Sequence, residues 1–489
     1  MTHRSKQSSD MQAALRDAFA ALQAGCFAQA RDAAAPWCAH ASGALLHALG
    51  AAACGDRSAA ATLAAIARAN PAARHPVCDL VDLLRAHGRA VEAPPHVEAA
   101  LQHAPGNPTL LALHGATHAE AGSPQDALDA FHQVTALRPD AASWSNLGKA
   151  LAAVGRFDEA EAAFARIARP TPQIALNQGI ARLKSGRLAE GWPLFRHRHA
   201  LPGRAPPPPG PELTSLDGLE GRAIRLLHDE GFGDTLQFIR YAPLLAARGA
   251  RIRLDVPPPL VRLLAPFGGP GPADAWLRIP DLPALFGTML ETIPASLPYL
   301  KADPALAALW ATRLPPGQRI GLVWAGAART HDAAAAATDR IRSIPRDRLA
   351  PLLATPGVTW VSLQLGQPPP PGVFDPMPHV RDFADTAAII AALDIVVSVD
   401  TAVAHLAAAM GRTVLLLDRF DHCWRWVAGR LDSPWYPERI EIIRQPTPGD
   451  WDSVLGHAKS RIMGRNKMNA PSVIPSFRNS KQASEFVGL

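Results

Sequence analysis

Two short stretches pair acidic, hydroxyl and imidazole side chains with glycine or small residues at a spacing that could do chemistry. The first is His228-Asp229-Glu230-Gly231-Phe232-Gly233-Asp234-Thr235-Leu236-Gln237, directly behind the apolar run Ala223 to Leu227. Gly231 and Gly233 let the backbone turn tightly beside a ligand, Asp234 falls at a helix start, and Gln237 lies one turn further on. A carboxylate there either caps the helix, which aspartate does well, or takes a proton from an acceptor hydroxyl as a general base. The second stretch is Ser398-Val399-Asp400-Thr401-Ala402-Val403-Ala404-His405, behind the run Ile395 to Val399. Thr401 and His405 are four apart and share a helix face, near N–H groups able to hold a diphosphate. The plainer reading makes His405 a hydrogen-bonded core residue.

The elements that position these stretches follow from periodicity. Short β-branched runs at Ala223 to Leu227, Arg251 to Val256, Arg319 to Trp324, Val358 to Leu363, Ile395 to Val399, Thr413 to Leu417 and Ile440 to Ile443 alternate with helical stretches. That alternation predicts parallel sheets of the βαβ type, whose ligands sit at the carboxyl ends of the strands. Before them lies a helical region with an internal repeat. Gly115, Ala127, Phe131 and Pro139 recur 33 residues later as Gly148, Ala160, Phe164 and Pro172, a third copy begins at Gly179, and the turn Gly155-Arg156 returns as Gly186-Arg187. The block Trp144-x-x-Leu147-Gly148-x-x-Leu151 with Ala160, Phe164 and Pro172 resembles the tetratricopeptide repeat pattern. Small residues then allow close helix approach, the aromatic fills the gap to the next unit, and the proline ends the second helix. Such a solenoid offers a concave surface for a peptide or protein partner, or else serves as a spacer or dimerisation module.

The predicted organisation is therefore a disordered start (1–10), a repeat solenoid (11–204) with degenerate repeats up to about residue 100, and a proline-rich linker (205–217). Two sheet domains (218–315 and 316–463) and a disordered tail (464–489) complete it. Composition bounds the function. With 489 residues, 48% hydrophobic and a net charge of +6, the chain can bury several cores, and it lacks the basic patch of a nucleic-acid binder. Proline, at 47 residues, is about twice the usual ~5% and marks boundaries. Five scattered cysteines form no C-x-x-C pair, which argues for a reducing compartment and against a disulfide framework or zinc site. No cluster of His, Cys and Glu carries metal spacing, and the lone Asp450-x-Asp452 reads as a helix cap. Without a signal-type apolar stretch or a run long enough to span a bilayer, the expected location is cytoplasmic. Serine-hydrolase elbows and P-loops are absent. Trp424, Trp426 and Trp435 either stack on a sugar or base or, more commonly, anchor a loop on the core.

Taken in order, Gly233-Asp234-Thr235-Leu236 with Pro243, then Asp400-Thr401-Ala402-Val403-Ala404-His405, resemble the heptosyltransferase-like family, glycosyltransferase family 9. The resemblance extends to bacterial proteins in which tetratricopeptide repeats precede such a domain. Gly321-Leu322-Val323-Trp324-Ala325-Gly326, Arg342-Ser343-Ile344-Pro345, Asp382-Phe383-Ala384-Asp385-Thr386, Ser433-Pro434-Trp435-Tyr436-Pro437 and Gly449-Asp450-Trp451 are further similar stretches, so it covers about residues 105 to 455. It implies an α-solenoid followed by an α/β GT-B pair of Rossmann-like domains, acceptor first and nucleotide-sugar donor second. It implies inverting sugar transfer without a required metal or cofactor. Asp234 would be the catalytic base; Gly231, Gly233 and Gln237 would line the acceptor side; Asp400, Thr401, Ala402, His405, Gly326 and Arg342 would hold the donor. The sequence departs from the pattern at Ala402, which replaces a glycine, and in the loop Ala327 to Ala333, which lacks lysine. Either Arg329, Arg340 or Arg342 supplies charge beside the phosphates, or donor binding is weakened. The competing reading is a repeat adaptor with a vestigial or binding-only nucleotide-sugar domain, and a third is isomerisation or hydrolysis of the nucleotide sugar.

Overall fold

The computed structural model of the protein describes residues 2–71, 73–327, 329 and 333–469. Antiparallel helix pairs fill the first two hundred residues, beginning with Thr2–Gln23 and ending with Pro172–Lys184 and Leu188–Phe195. The first helix thus reaches back through the stretch expected to be disordered. The turn between the helices of each pair carries a left-handed glycine, at Gly25, Gly55, Gly88, Gly122, Gly155 and Gly186, spaced 30, 33, 34, 33 and 31 residues apart. Only glycine enters that conformation without steric cost. The repeat therefore runs through the alanine-rich region whose register the side chains obscure. Within a pair, a Cβ added at Gly115 would meet the Phe131 ring at 2.8 Å, and one at Gly148 the Phe164 ring at the same distance. Each repeated aromatic therefore packs on the glycine of its own unit rather than bridging to the next. Pro172 does not end a helix: it opens one, its missing N–H costing nothing in the first turn.

The first sheet, in the order β2-β1-β3, contains β1 (Ala223–Leu227), β2 (Arg251–Asp255) and β3 (Ala275–Arg278). The second, in the order β5-β4-β6-β7-β8, contains β4 (Gln318–Val323), β5 (Val358–Ser362), β6 (Ile395–Val399), β7 (Thr413–Asp418) and β8 (Ile440–Arg444). Every named strand pair is parallel. All five residues of β6 are buried, as strands covered by helices on both faces require. The segment read as a linker is pinned to the edge of β3, where Leu213 N–H donates to the Trp276 carbonyl (2.8 Å) and Trp276 Nε1 to the Gly210 carbonyl (2.9 Å). The last helix, Trp451–Asn469, runs into the predicted tail; residues 470–489 lie outside the described residues.

The solenoid is joined to both sheet domains by packing. Trp192, from its last helix, sits in an aromatic cluster with Phe238, Trp424 and Trp435 at centroid distances of 6.5, 5.5 and 6.3 Å. Buried Lys184 pairs with Asp421, and Arg340 donates to the Glu120 carbonyl at 2.7 Å. One hydrophobic core runs from Leu176, Leu183 and Trp192 into both sheets, so the end of the solenoid is part of the α/β body.

Candidate functional site

In the first domain β1 ends at Leu227, and the chain turns through residues 228–231 into the helix Phe232–Phe238. Asp234, 7% exposed, sits in its first turn. Its Oδ2 accepts the Gly231 N–H at 3.0 Å and its Oδ1 the Nη2 of Arg425, which comes from the second domain. The capping role and a cross-domain ion pair thus share one carboxylate. Burial lowers the Arg425 guanidinium to about 10, still cationic at neutral pH. Backbone strain brackets the contact: Glu230 has φ +62° and β-branched Val427 has φ +50°, a region costly for side chains of this kind. The turn is held from the solenoid side by Arg198, 1% exposed, whose Nη2 lies 2.8 Å from Asp281 Oδ1 and whose Nε donates to Asp229 Oδ2 at 3.2 Å. Burial pushes the Asp281 carboxyl up, but the His199 hydrogen bond (2.7 Å) and Arg198 outweigh it and hold it below the usual range.

In the second domain β6 leads through Asp400 and Thr401 into the helix Ala402–Ala409. The two turns meet. A Cβ on Gly233 would lie 2.9 Å from His405 Cδ2 and 3.6 Å from the Ala402 Cα, so glycine is required there for close approach of the two helices rather than of a ligand. His405 is 3% exposed, stacked on Trp426 at 4.9 Å and 15°, and hydrogen-bonded through Nδ1 to the Tyr436 hydroxyl at 2.9 Å. Burial lowers its pKa to about 4 and keeps it neutral. His405 is therefore a core residue, not a donor ligand. Gln237 is likewise enclosed rather than cleft-lining: it is fully buried, and neither atom of its amide has a partner among the described residues. The three tryptophans anchor the same interface, with Trp424 5% exposed and Trp426 and Trp435 fully buried.

What stays accessible is the partly exposed start of the second turn, Asp400 to Val403. β4 and β6 are neighbours whose flanking strands lie to opposite sides, so their carboxyl ends form a switch point, the place where open parallel sheets take ligands. Gly326 lies beyond β4 and Asp400 beyond β6, and Arg342 joins them. Its Nη1 donates to the Asp400 carbonyl at 2.9 Å, its Nη2 lies 2.6 Å from Asp339, and its Nε has no partner among the described residues. A Cβ at Gly326 would stand 2.3 Å from that Nε. Arg329 and Arg340 are directed elsewhere, to Asp339 and to the solenoid; residues 328 and 330–332 of the loop lie outside the described residues. The Thr401 hydroxyl is spent on Ser398 Oγ (3.0 Å) and does not cap its helix. By contrast, Asp382 caps the helix Phe383–Ala391 through the N–H groups of Ala384 and Asp385. An uncapped helix start beside an arginine can hold an anion.

A cavity of about 550 Å³ opens at the carboxyl ends of all three strands of the first sheet, lined by Leu227, His228, Asp229, Asp255, Arg278 and Arg204 among others. Sequence reasoning missed Arg425 and Arg198, which reach the site from distant positions without a local motif, and gave Tyr436, although it lies in one of the similar stretches, no role at the site. It also missed Asp418 at the end of β7, whose carboxyl burial raises to about 6 despite Arg444 at 2.9 Å. The expectation that no His and Glu cluster has metal spacing fails once: Glu98, His114 and His118 bring ligand atoms within 4.8 Å of one another. The i, i+4 histidine pair was the available signal. Asp450 caps the last helix as expected, accepting the Ser453 N–H at 3.0 Å. Among the described residues no helix is long and apolar enough to cross a membrane.

Comparison with known proteins supports the repeats. A tetratricopeptide repeat family model matches residues 118–183. The chain is 26% identical over 331 residues to Protein FlbA of Caulobacter vibrioides, covering 57% of this chain and 53% of that protein. It thus spans about half the length of the curated relative it matches. Among solved structures it is similar to YrrB, described as a TPR protein with an unusual peptide-binding site, at 18% identity over 33% of this chain and 86% of that one, with a TM-score of 0.25. It is similar also to MamA, at 18% identity over 33% of this chain and 94% of that one, with the same score. The N-terminal part is a tetratricopeptide-repeat solenoid and the C-terminal part carries two parallel sheets of Rossmann-like character.

Proposed function

We propose that the two sheet domains form a GT-B glycosyltransferase, with the donor's diphosphate at the switch point of the second sheet and the acceptor at the carboxyl ends of the first. The observation that carries this reading is Arg342, which lies beside Gly326, donates to the Asp400 carbonyl between neighbouring strand ends and keeps an unpartnered Nε there. Asp234, on the facing helix, would take the proton of the acceptor hydroxyl. The acceptor oxygen would bond to the anomeric carbon while that carbon's bond to phosphate oxygen breaks, the electron pair leaving on the nucleoside diphosphate. Arg342 and the amides at the start of the helix Ala402–Ala409 would stabilise the leaving charge. The Arg425 ion pair occupies Asp234 Oδ1, so proton transfer to that carboxylate requires the pair to loosen. The cavity of the first sheet suits the acceptor, and the solenoid fused to it suits a protein or peptide that presents the acceptor.

Incubating the full chain with a panel of nucleotide sugars and glycan or protein acceptors tests this. Wild type should transfer sugar, and Asp234→Asn should lower turnover by about 10² to 10⁴ while donor binding persists. Undiminished turnover in Asp234→Asn removes that residue from the mechanism. A second reading, a repeat adaptor whose α/β part binds without turning over, is favoured by the sealed His405 and by the occupied Asp234 carboxylate. It predicts nucleotide binding, or none, with no product from any acceptor.

A further inference from the structure

We propose that Glu98, His114 and His118 form a binding site for a divalent first-row transition metal ion of the zinc class, set in the solenoid at the seam between its two hydrophobic cores. His114 and His118 are one turn apart on the helix Pro108–Ala121, so both imidazoles project from one face, and their rings lie 4.3 Å apart at 76°. Glu98 reaches them from the helix Ala93–His103, with Oε1 3.4 Å from His118 Nε2. Zinc bonds of 2.0–2.2 Å to nitrogen and oxygen in a tetrahedron put neighbouring ligand atoms about 3.3 to 3.5 Å apart, and this pair already stands at that separation. The remaining ligand atom lies within 4.8 Å of the others, a gap closed by side-chain rotation.

Two further observations point to a ligand. Both ring nitrogens of His118 and the Nδ1 of His114 are shielded from solvent and have no hydrogen-bond partner among the described residues, although buried polar atoms are seldom left so. On the far side of the His118 ring, Asp126 Oδ2 lies 3.5 Å from Nδ1. That is the arrangement in which a carboxylate orients a metal-bound histidine, with Nε2 on the metal and Asp126 behind the ring.

The position gives the site a role. Val97 and Leu110 belong to the core of the first repeats, whereas Ala127 and Phe131 belong to the next core and Ala116 packs against it. A metal on Glu98 and the two histidines would clamp those cores together two residues from Glu120, whose carbonyl accepts from Arg340 of the second sheet domain. Three protein ligands and a water complete a tetrahedron.

The test is titration of the chelator-treated, untagged full chain with Zn²⁺ and, for spectroscopy, with Co²⁺. One ion should bind per chain, Co²⁺ should give the visible absorption of a tetrahedral N/O site, and Zn²⁺ should raise the thermal midpoint. His118→Ala and His114→Ala should abolish these effects, and Asp126→Asn should weaken affinity about 10- to 100-fold. Glu98→Gln, at a side chain 51% exposed, removes a ligand without disturbing the packing and should also weaken binding if either histidine variant fails to fold. Absence of saturable binding, or binding undiminished in Glu98→Gln and in the folded histidine variants, would overturn the proposal and leave His118 as an ordinary ion-pair partner of Glu98 and Asp126.

Discussion

The two strand-to-helix turns look alike in outline, yet the structure treats them oppositely. In the first, the side chains are tied down: Asp234 to Gly231 and Arg425, Asp229 to Arg198, Glu230 to Arg204 at 2.8 Å, His228 to Thr235 at 2.8 Å. In the second, His405 is sealed into the core while the helix start is left uncapped by Thr401 and an arginine with a spare donor stands beside it. The contrast teaches that a shared motif outline does not assign a shared task. The first turn is a junction where solenoid and both sheet domains are fastened, and the second is where the proposed diphosphate would sit.

The largest effect should come from loosening that junction. Arg198→Met leaves Asp281 buried and short of a partner, and should cost about 3 to 5 kcal/mol, read as a fall in denaturant midpoint at unchanged slope. A loss under 1 kcal/mol would mean that the first turn is not held from the solenoid. Next comes acid sensitivity. His405, with its pKa lowered to about 4 in the fold, adds stability that is present above its unfolded value near 6.5 and drains away as pH falls toward 4. The amount is about 3 kcal/mol. His422, lowered to about 3, acts in the same direction, and Asp418, raised to about 6, opposes both by favouring the fold as it protonates. His405→Gln should therefore flatten the stability profile between pH 6.5 and 4; an unaltered slope would place His405 in contact with solvent. Gly233→Val forces a side chain against His405 and should cost about 1 to 3 kcal/mol, with tryptophan fluorescence reporting the shift of nearby Trp426. Smallest is Asp382→Ala, which removes a true cap and should cost about 1 kcal/mol without changing nucleotide binding.

How much of this was legible in the sequence follows from where the information lies. β1 and β6 carry apolar, β-branched runs and read directly, whereas β3 is only Ala-Trp-Leu-Arg and has no such signature. The early repeats were hidden because alanine packs their helices wherever it falls; the recurring turn glycine alone kept the period. Both turns stood out by composition, but their close packing at Gly233 and the fate of His405 did not. Thr401 and His405 do share a helical spacing, yet the face at His405 is turned toward Trp426 and Tyr436, more than twenty residues away in sequence. Arg425 and Arg198 were invisible for the same reason, since nothing local announces a partner that only the tertiary fold supplies. The opposite error occurred at His114 and His118, where the i, i+4 spacing was present and Glu98 was sixteen residues upstream.

The central claim, that the second turn is the anion-binding end of the pair, is tested most directly by calorimetric titration of uridine, adenosine, guanosine and cytidine diphosphates into wild type and Arg342→Ala. Saturable binding of at least one nucleotide by wild type, weakened tenfold or more in Arg342→Ala as expected for loss of a charge-assisted hydrogen bond of about 1.5 to 3 kcal/mol, is the predicted result. No binding by wild type, or equal affinity in the two proteins, would contradict it.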